Sequence, residues 1–263
     1  LQLIHCDVEE LIGVRKLRQR LVDVRNFRRR HQTIQTLSGG SLAVDQFLLQ
    51  RVAHSGYIGW KSGGGKVRMN LVMEFLQHAD ARVRRAMFGA ILGKTDVINP
   101  EIFGLAIKAV KDPKESWWVQ DAALQIIGRG TADQVLPHLD TLLPYLKHEE
   151  DWLKNAAITA LTPVVADARC YERVLPAVGN LIRNNQRVSI TRGMTGGIRA
   201  KLKAAGSQVQ KLAAKTLKET FTGYSGSKTA PGGLDTTSTY EYHLEGIAES
   251  LAEVPGGLDV LYE

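Results

Sequence analysis

The chain carries apolar residues at the three-to-four-residue spacing that is typical of amphipathic helices, interrupted by short polar or glycine-containing stretches. Between residues 66 and 203 one pattern recurs: an apolar residue is followed by a small residue three positions on and by Ile or Leu eight positions on. The pattern starts at Val83, Val119, Leu153 and, more loosely, Ile190, which are 36, 34 and 37 positions apart. Such a period indicates a repeated structural unit.

A second apolar series lies upstream of each start and has nearly the same period. Its helices end at Leu76, Val110, Leu146 and Ile182, which are 34, 36 and 36 positions apart. Two series with one period indicate a repeated pair of helices, and such pairs stack so that each covers its neighbour's apolar face. The pattern predicts four pairs, namely 66–78 with 81–93, 101–111 with 117–129, 137–147 with 152–164, and 174–184 with 187–203.

The segments on either side of the array are predicted to cap its ends. Residues 1–65 combine a basic amphipathic helix at 7–33 with a glycine-rich connector that lacks the spacing of a phosphate-binding loop. Residues 204–263 combine a cap helix at 206–220, a loop rich in Gly, Ser, Thr and Pro, and an acidic helix at 240–254. The sequence therefore predicts three parts, which are residues 1–65, 66–203 and 204–263.

The stretch Asp80-x-x-Val83-Arg84-x-Ala86 resembles the second helix of HEAT and armadillo repeats, and the resemblance extends over residues 66–203. It implies an all-α fold in which helix pairs wind into a right-handed α-α superhelix, a HEAT-like solenoid. It also implies that the second helix of each pair lines a concave surface that can bind a partner.

Composition and cysteine usage narrow the class of protein. With 44% apolar and 23% charged residues, the chain falls in the globular range, and no apolar run reaches the roughly 18 residues of a membrane span. Cys6 and Cys170 are the two cysteines and the histidines are scattered, so we predict no disulfide framework, metal site or cofactor. We expect a cytoplasmic setting. Because the chain begins at Leu1, we also expect a fragment or processed product of a larger bacterial multidomain protein.

The net charge of +7 is unevenly distributed along the chain. Residues 176–220 hold nine Lys and Arg against one Glu, whereas residues 221–263 hold seven Asp and Glu against one Lys. The basic segment predicts a surface that could contact the phosphate backbone of nucleic acid. The acidic tail offers that segment an internal partner, since the loop at 222–239 is long enough to let the tail dock on 176–220.

Stacking would bring equivalent positions of the second helices into rows on one surface. One row holds Arg82, Trp118, Trp152 and Ser189, the next Arg84, Gln120, Lys154 and Thr191, and the third Arg85, Asp121, Asn155 and Arg192. From these rows and their neighbours, the predicted binding residues are Arg82, Arg84, Arg85, Trp117, Trp118, Trp152, Lys154, Arg192 and Arg199.

Two segments in these rows, 115–121 and 151–158, resemble those of the HEAT-like alkylpurine DNA glycosylases. In that family, aromatic side chains and a carboxylate surround the damaged nucleotide on a basic concave face. The resemblance implies the following roles: a catalytic carboxylate at Asp121, aromatic walls at Trp117 and Trp152, and a phosphate contact at Lys154.

Ordinary repeat packing is the alternative for these residues, with the tryptophans wedged between units and Asp121 paired with Arg85 or Lys154. No motif fulfils the spacing of a known catalytic motif, so the sequence favours a non-catalytic HEAT-repeat scaffold that binds a protein partner with its concave surface. The alternative functions are a DNA glycosylase and a binder of the phosphate backbone, and whether the chain is an enzyme stays open.

Overall fold

The computed structural model describes four stretches of the chain, and every regular element in them is helical: residues 65–93, 98–184, 197–224 and 237–262. The prediction of an all-α fold is therefore confirmed for this part of the chain. The predicted basic helix at 7–33 and the row positions Ser189, Thr191 and Arg192 lie outside the described residues. The chain divides into two compact units, residues 1–94 and 95–263.

The described part of the first unit is a helix pair. α1 spans Gly65–Leu76, α2 spans Ala81–Leu92, and the two pack against each other. α2 begins after Asp80 because the carboxylate of that residue accepts a hydrogen bond from the N–H of Arg82 at 2.8 Å. Val83 and Ile91, two positions of the repeated pattern, are both buried in this pair.

The second unit opens with another pair, formed by α3 at Pro100–Lys111 and α4 at Trp117–Ile127. The side chain of Asn99 caps α3 by accepting from the N–H of Glu101 at 2.7 Å. Pro100 occupies the first turn, where a backbone N–H would have no partner within the helix. Both helices thus begin and end close to the predicted positions.

Residues 132–147 form a segmented helix, which is the first helix of the next pair. Its pieces are α5 at Ala132–Val135, a 3-10 turn at Leu136–His138, α6 at Leu139–Leu142 and a 3-10 turn at Leu143–Lys147. Pro137 and Pro144 lie at the starts of the 3-10 turns, because proline has no N–H for the α-helical hydrogen bond. Thr131 and Gln134 form a capping box, so the helix begins before the predicted position 137.

The remaining helices are α7 at Asp151–Leu161, continued by a 3-10 turn at Thr162–Val164, α8 at Tyr171–Arg183, α9 at Arg199–Lys203, α10 at Ser207–Thr222, α11 at Thr237–Glu253 and α12 at Gly257–Tyr262. α7 packs against α4 and the segmented helix, α8 packs against α10, and α10 packs against α11 and α12. The chain continues as a helix beyond the predicted acidic helix at 240–254. Gly256 adopts a φ of 79°, which turns the chain into α12.

α4 and α7 lie side by side with the same pattern of buried residues. The pattern repeats with an offset of 34 positions: Val119, Ala122, Ala123, Leu124, Ile126 and Ile127 in α4, and Leu153, Ala156, Ala157, Ile158, Ala160 and Leu161 in α7. Near their carboxyl ends the helices approach so closely that a Cβ on Gly128 would lie 2.4 Å from the carbonyl oxygen of Thr159. The Tyr145 hydroxyl also donates to the carbonyl oxygen of Val110 at 2.6 Å. The segmented helix and α3, which precede α7 and α4, therefore meet near their ends. α4 therefore contacts α7 near its carboxyl end, and α3 contacts the segmented helix.

Candidate functional site

Three tryptophans stand exposed at the amino ends of two packed helices. Trp117 and Trp118 begin α4 and are 42% and 40% exposed, while Trp152 in the first turn of α7 is 60% exposed. The rings of Trp117 and Trp118 lie 6.1 Å apart, centroid to centroid, at an angle of 50°. Because large aromatic side chains are ordinarily covered in a folded protein, these residues form a candidate binding surface, called here the tryptophan patch.

The two halves of the tryptophan patch lie at the same end of the helix pairs. α4 and α7 share one register, and their carboxyl ends meet at Gly128 and Thr159, so their amino ends also lie side by side. The hydrogen bond from Tyr145 to Val110 brings together the ends of the helices that lead into α4 and α7. The register and contacts of the helices thus place Trp117, Trp118 and Trp152 at the same end of α4 and α7.

A buried glutamine positions the turn that precedes Trp117 and Trp118. Gln120 is 6% exposed, and its side-chain N–H donates to the carbonyl oxygen of Asp112 at 3.0 Å. The Asp112 side chain in turn accepts from the N–H of Lys114 at 2.9 Å. This bond ties the turn to the helix, so the two indole rings are presented from a fixed backbone.

On the α7 side, a histidine and a glutamate organise the turn before Trp152. Nδ1 of His148 accepts from the N–H of Glu150 at 2.9 Å, and the His148 ring stacks on Tyr145 at a centroid distance of 5.8 Å. Glu150 caps α7 by accepting from the N–H of Trp152 at 3.4 Å. Burial raises the pKa of the Tyr145 phenol above its ordinary value.

The two turns carry mainly negative charge. Residues 112–116 and 148–150 hold four carboxylates, at Asp112, Glu115, Glu149 and Glu150, and one cation, at Lys114. Asp112 and Glu149 are exposed, while Glu115 and Glu150 are partly exposed. We call these four carboxylates the acidic rim. Lys111 and Lys147, which directly precede the two turns, are also exposed, so carboxylates and lysines are mixed along this edge.

The structure places the other predicted residues of α4 and α7 in local hydrogen bonds. Nζ of Lys154 pairs with Oδ1 of Asp151 at 2.8 Å, and Oδ2 of Asp121 accepts from Nε2 of Gln125 at 3.0 Å. Asp121 is partly exposed. The packing alternative placed the tryptophans between units, yet all three are exposed. The structure therefore favours a surface role for these rings.

The predicted arginines that the structure describes belong to other helices than α4 and α7. Arg82, Arg84 and Arg85 belong to α2 of the first unit, where Arg82 pairs with Asp80 and Nη1 of Arg84 donates to the carbonyl oxygens of His78 and Ala79. The hydrogen bond from Arg82 lowers the pKa of Asp80. The side chains of Arg82 and Arg84 thus stabilise the turn that precedes α2.

Arg199 lies at the other end of the second unit's helices. The preceding Gly197 is close to Thr162, which follows α7, whereas Trp152 begins α7. Arg199 pairs with Glu249 at 3.7 Å and with Glu253 at 3.3 Å. These ion pairs agree with the predicted docking of the acidic tail on residues 176–220. Because Arg199 lies at the opposite end of α7, it does not belong to the tryptophan patch.

The apolar period does not identify the residues that organise the turns. Positions 78, 112 and 148 recur at intervals of 34 and 36 and hold His, Asp and His. In each case the side chain accepts from the N–H two residues later, at 3.0, 2.9 and 2.9 Å. The recurrence of these acceptors immediately before each second helix is the signal that could have identified them.

Within the described stretches, no three His, Cys, Asp or Glu side chains are grouped so that they could hold a metal ion. No described helix is both long and apolar enough to cross a membrane. No protein-family model matches the chain, and no curated protein matches it either.

Proposed function

We propose that the chain is a non-catalytic binding module of HEAT-like helix pairs, wound into a right-handed superhelix, and that it docks a protein partner on the tryptophan patch. The observation that carries the proposal is the exposure of Trp117, Trp118 and Trp152 at one end of two packed helices. Tryptophan is the residue type most enriched among the energetic centres of protein interfaces. The repeated register of α4 and α7 supports the solenoid.

The turns beside the patch hold carboxylates among lysines, whereas surfaces that bind a phosphate backbone are strongly basic, and this difference favours a protein partner. For a glycosylase, the site would need cations beside the aromatic walls. Lys154, the predicted phosphate contact, is paired with Asp151.

A peptide-selection experiment tests the proposal. A random peptide library displayed on phage is selected on the immobilised chain, and the affinities of selected peptides are measured by fluorescence anisotropy. We expect a loss of about tenfold or more for the variant Trp118→Ala/Trp152→Ala, because truncating an interface tryptophan typically costs at least about 2 kcal/mol. Both side chains are exposed, so circular dichroism should show an unchanged helical fold.

The matched control is Leu258→Ala, which removes another exposed large apolar side chain, 51% exposed, from α12. Selected peptides should bind this variant like the wild type. Equal binding to the tryptophan variant would refute the proposal. In a parallel assay on a duplex with an alkylated purine, base release that Asp121→Asn abolishes would establish the glycosylase instead.

A further inference from the structure

We infer that His148 is a pH-sensitive switch for the tryptophan patch: when its ring gains a proton, the turn that leads into α7 loses a hydrogen bond, and docking on the patch weakens. This inference rests on the proposed function and adds its regulation. It follows from a chemical difference between equivalent turns of the chain, which hold His at positions 78 and 148 but Asp at position 112.

The ring of His148 fixes the residue from which α7 begins. Nδ1 of His148 accepts from the N–H of Glu150 at 2.9 Å. The carbonyl oxygen of Glu150 accepts in turn from the N–H groups of Leu153 and Lys154, and its carboxylate accepts from the N–H of Trp152. The first turn of α7, which carries Trp152, is therefore connected to the ring through Glu150.

An imidazole nitrogen accepts a hydrogen bond only while it carries no proton. Protonation places an N–H on Nδ1 of His148, which then faces the N–H of Glu150 with no acceptor between them. The ring is also stacked on Tyr145, at a centroid distance of 5.8 Å and an interplanar angle of 9°, and the Tyr145 hydroxyl is bonded to the carbonyl oxygen of Val110. A protonated ring must therefore give up the bond to Glu150 or the stacking on Tyr145.

The equivalent turn before α4 lacks this sensitivity. There Oδ1 of Asp112 accepts from the N–H of Lys114 at 2.9 Å. A carboxylate keeps its acceptor oxygens over the range from about pH 5 to about pH 8, in which histidine ordinarily changes charge. Acidification should thus shift Trp152 relative to Trp117 and Trp118 at the start of α4, so a partner that contacts both helices loses part of its surface.

Charged side chains of both signs belong to the turn and to the elements packed against it. They are Lys111 and Asp112 after α3, Asp140 in α6, Lys147, Glu149 and Glu150 around His148 itself, Asp151 and Lys154 in α7, and Arg183 at the end of α8. Asp151 and Lys154 pair with each other. His148 is exposed, so solvent protons reach it. Because the surrounding signs are mixed, the hydrogen bond of the ring is the feature that distinguishes its two protonation states.

Two histidine variants of the full chain test this inference. His148→Asn replaces the ring by an amide whose oxygen can accept from the N–H of Glu150 and does not titrate. His78→Asn is the matched control, because Nδ1 of His78 accepts from the N–H of Asp80 at 3.0 Å in the equivalent turn of the first unit.

NMR spectroscopy of the 15N-labelled chain follows the turn without any partner. We expect the ring-nitrogen signals of His148 to show an unprotonated Nδ1 at about pH 7.5 that gains a proton as the pH falls to about 5.5, with the amide signal of Glu150 shifting in step. In His148→Asn the Glu150 amide should not follow the pH. An Nδ1 that already carries a proton at the higher pH, or a Glu150 amide that ignores the ring, would overturn the inference.

Fluorescence anisotropy with a histidine-free peptide from the phage selection measures docking at the same two pH values. Wild type and His78→Asn should bind the peptide about threefold to tenfold more weakly at the lower pH, which is the usual effect of one lost hydrogen bond. His148→Asn should bind it equally at both. Equal losses in all three proteins would overturn the inference and leave the proposed function intact. A peptide whose affinity does not depend on Trp118 and Trp152 would refute the proposed function and with it the regulation, even if the NMR titration shows that the turn opens.

Discussion

The absence of a side chain at Gly128 allows α4 and α7 to approach each other closely. Gly128 ends α4 with a φ of −63°, so its backbone is open to any residue, and its role is to lack a side chain. A Cβ there would lie 2.4 Å from the carbonyl oxygen and 2.8 Å from the carbonyl carbon of Thr159. Since those atoms are backbone, no rotation of a side chain can relieve the contact.

We therefore predict that Gly128→Ala lowers the free energy of unfolding by about 1–3 kcal/mol, the usual effect of overpacking. Chemical denaturation followed by circular dichroism measures the change. Gly104 supplies the control, because it lies on the exposed face of α3 and a Cβ there meets nothing within 4 Å. Gly104→Ala should stabilise the chain by about 0.5–1 kcal/mol. A Gly128→Ala variant as stable as wild type would show that α4 and α7 can separate without cost.

At the scale of elements, the connection between α7 and α8 depends on one carboxylate. Asp167 accepts from the N–H of Arg169 at 2.9 Å and from two nitrogens of its guanidinium at 2.8 and 2.7 Å. Its own carbonyl oxygen accepts from the N–H groups of Cys170 and Tyr171 at the start of α8. The carboxylate thereby fixes the turn from which α8 begins.

These bonds make the stability of the fold depend on pH. The Arg169 guanidinium lowers the pKa of Asp167 to about 2, below its ordinary value near 3.9. Because the folded pKa is the lower one, the stabilisation is present above about pH 4 and is lost as the pH falls towards 2. Asp167→Asn should destabilise the fold by about 1 kcal/mol at pH 7, after allowance for solvent screening.

Urea denaturation of wild type and Asp167→Asn between pH 7 and pH 2 checks this prediction, and the difference between the two stabilities should narrow steadily below about pH 4. Asp133 pairs with the same arginine at 2.8 Å, but its side chain is 80% exposed. Asp133→Asn should therefore change stability little at any pH. A constant difference between Asp167→Asn and wild type down to pH 3 would mean that the charge of Asp167 does not contribute.

At the scale of the whole molecule, the sequence predicted the helices well where apolar period and capping residues agree. Asp80 and Asn99 both cap helices whose predicted starts are correct within one residue. The segmented helix at 132–147 departs from prediction because Pro137 and Pro144 tighten its turns and Thr131 caps it early. Periodicity reports which positions are buried, and it does not report how prolines divide a helix.

The candidate site was predicted in part. The rows contained Trp118 and Trp152, and the resemblance added Trp117. The basic segment contributed Arg199, which pairs with the carboxylates of α11. Sequence spacing shows which residues occupy equivalent positions of the repeat. It does not show which ion pairs a charged side chain forms with residues distant in the sequence. The acidic rim was not predicted from the sequence. Its carboxylates occupy positions that are usual for helix-capping residues, and only the structure shows that exposed rings follow them.

The basic segment 176–220 and the acidic tail, which are separate in the sequence, contact each other in the folded molecule. α11 packs against α9 and α10, buries Ile247 and Leu251, and places Glu249 and Glu253 beside Arg199. Lys201 and Lys203 of α9 are exposed next to this pair. Deleting α11 would expose its buried residues, so substitution of the two glutamates is the cleaner test of whether the tail masks a basic surface.

We predict that Glu249→Gln/Glu253→Gln raises the affinity for a short DNA duplex at low salt, because Arg199 becomes available to a phosphate and each added phosphate contact increases the salt slope by about 1. Fluorescence anisotropy with a labelled duplex at several salt concentrations measures both quantities. Glu101→Gln/Glu172→Gln changes the net charge by the same amount at other positions. If this control raises the affinity and the salt slope equally, net charge explains the effect and the tail does not mask Arg199. A larger slope only in the α11 variant would show that the acidic helix competes with polyanions for α9.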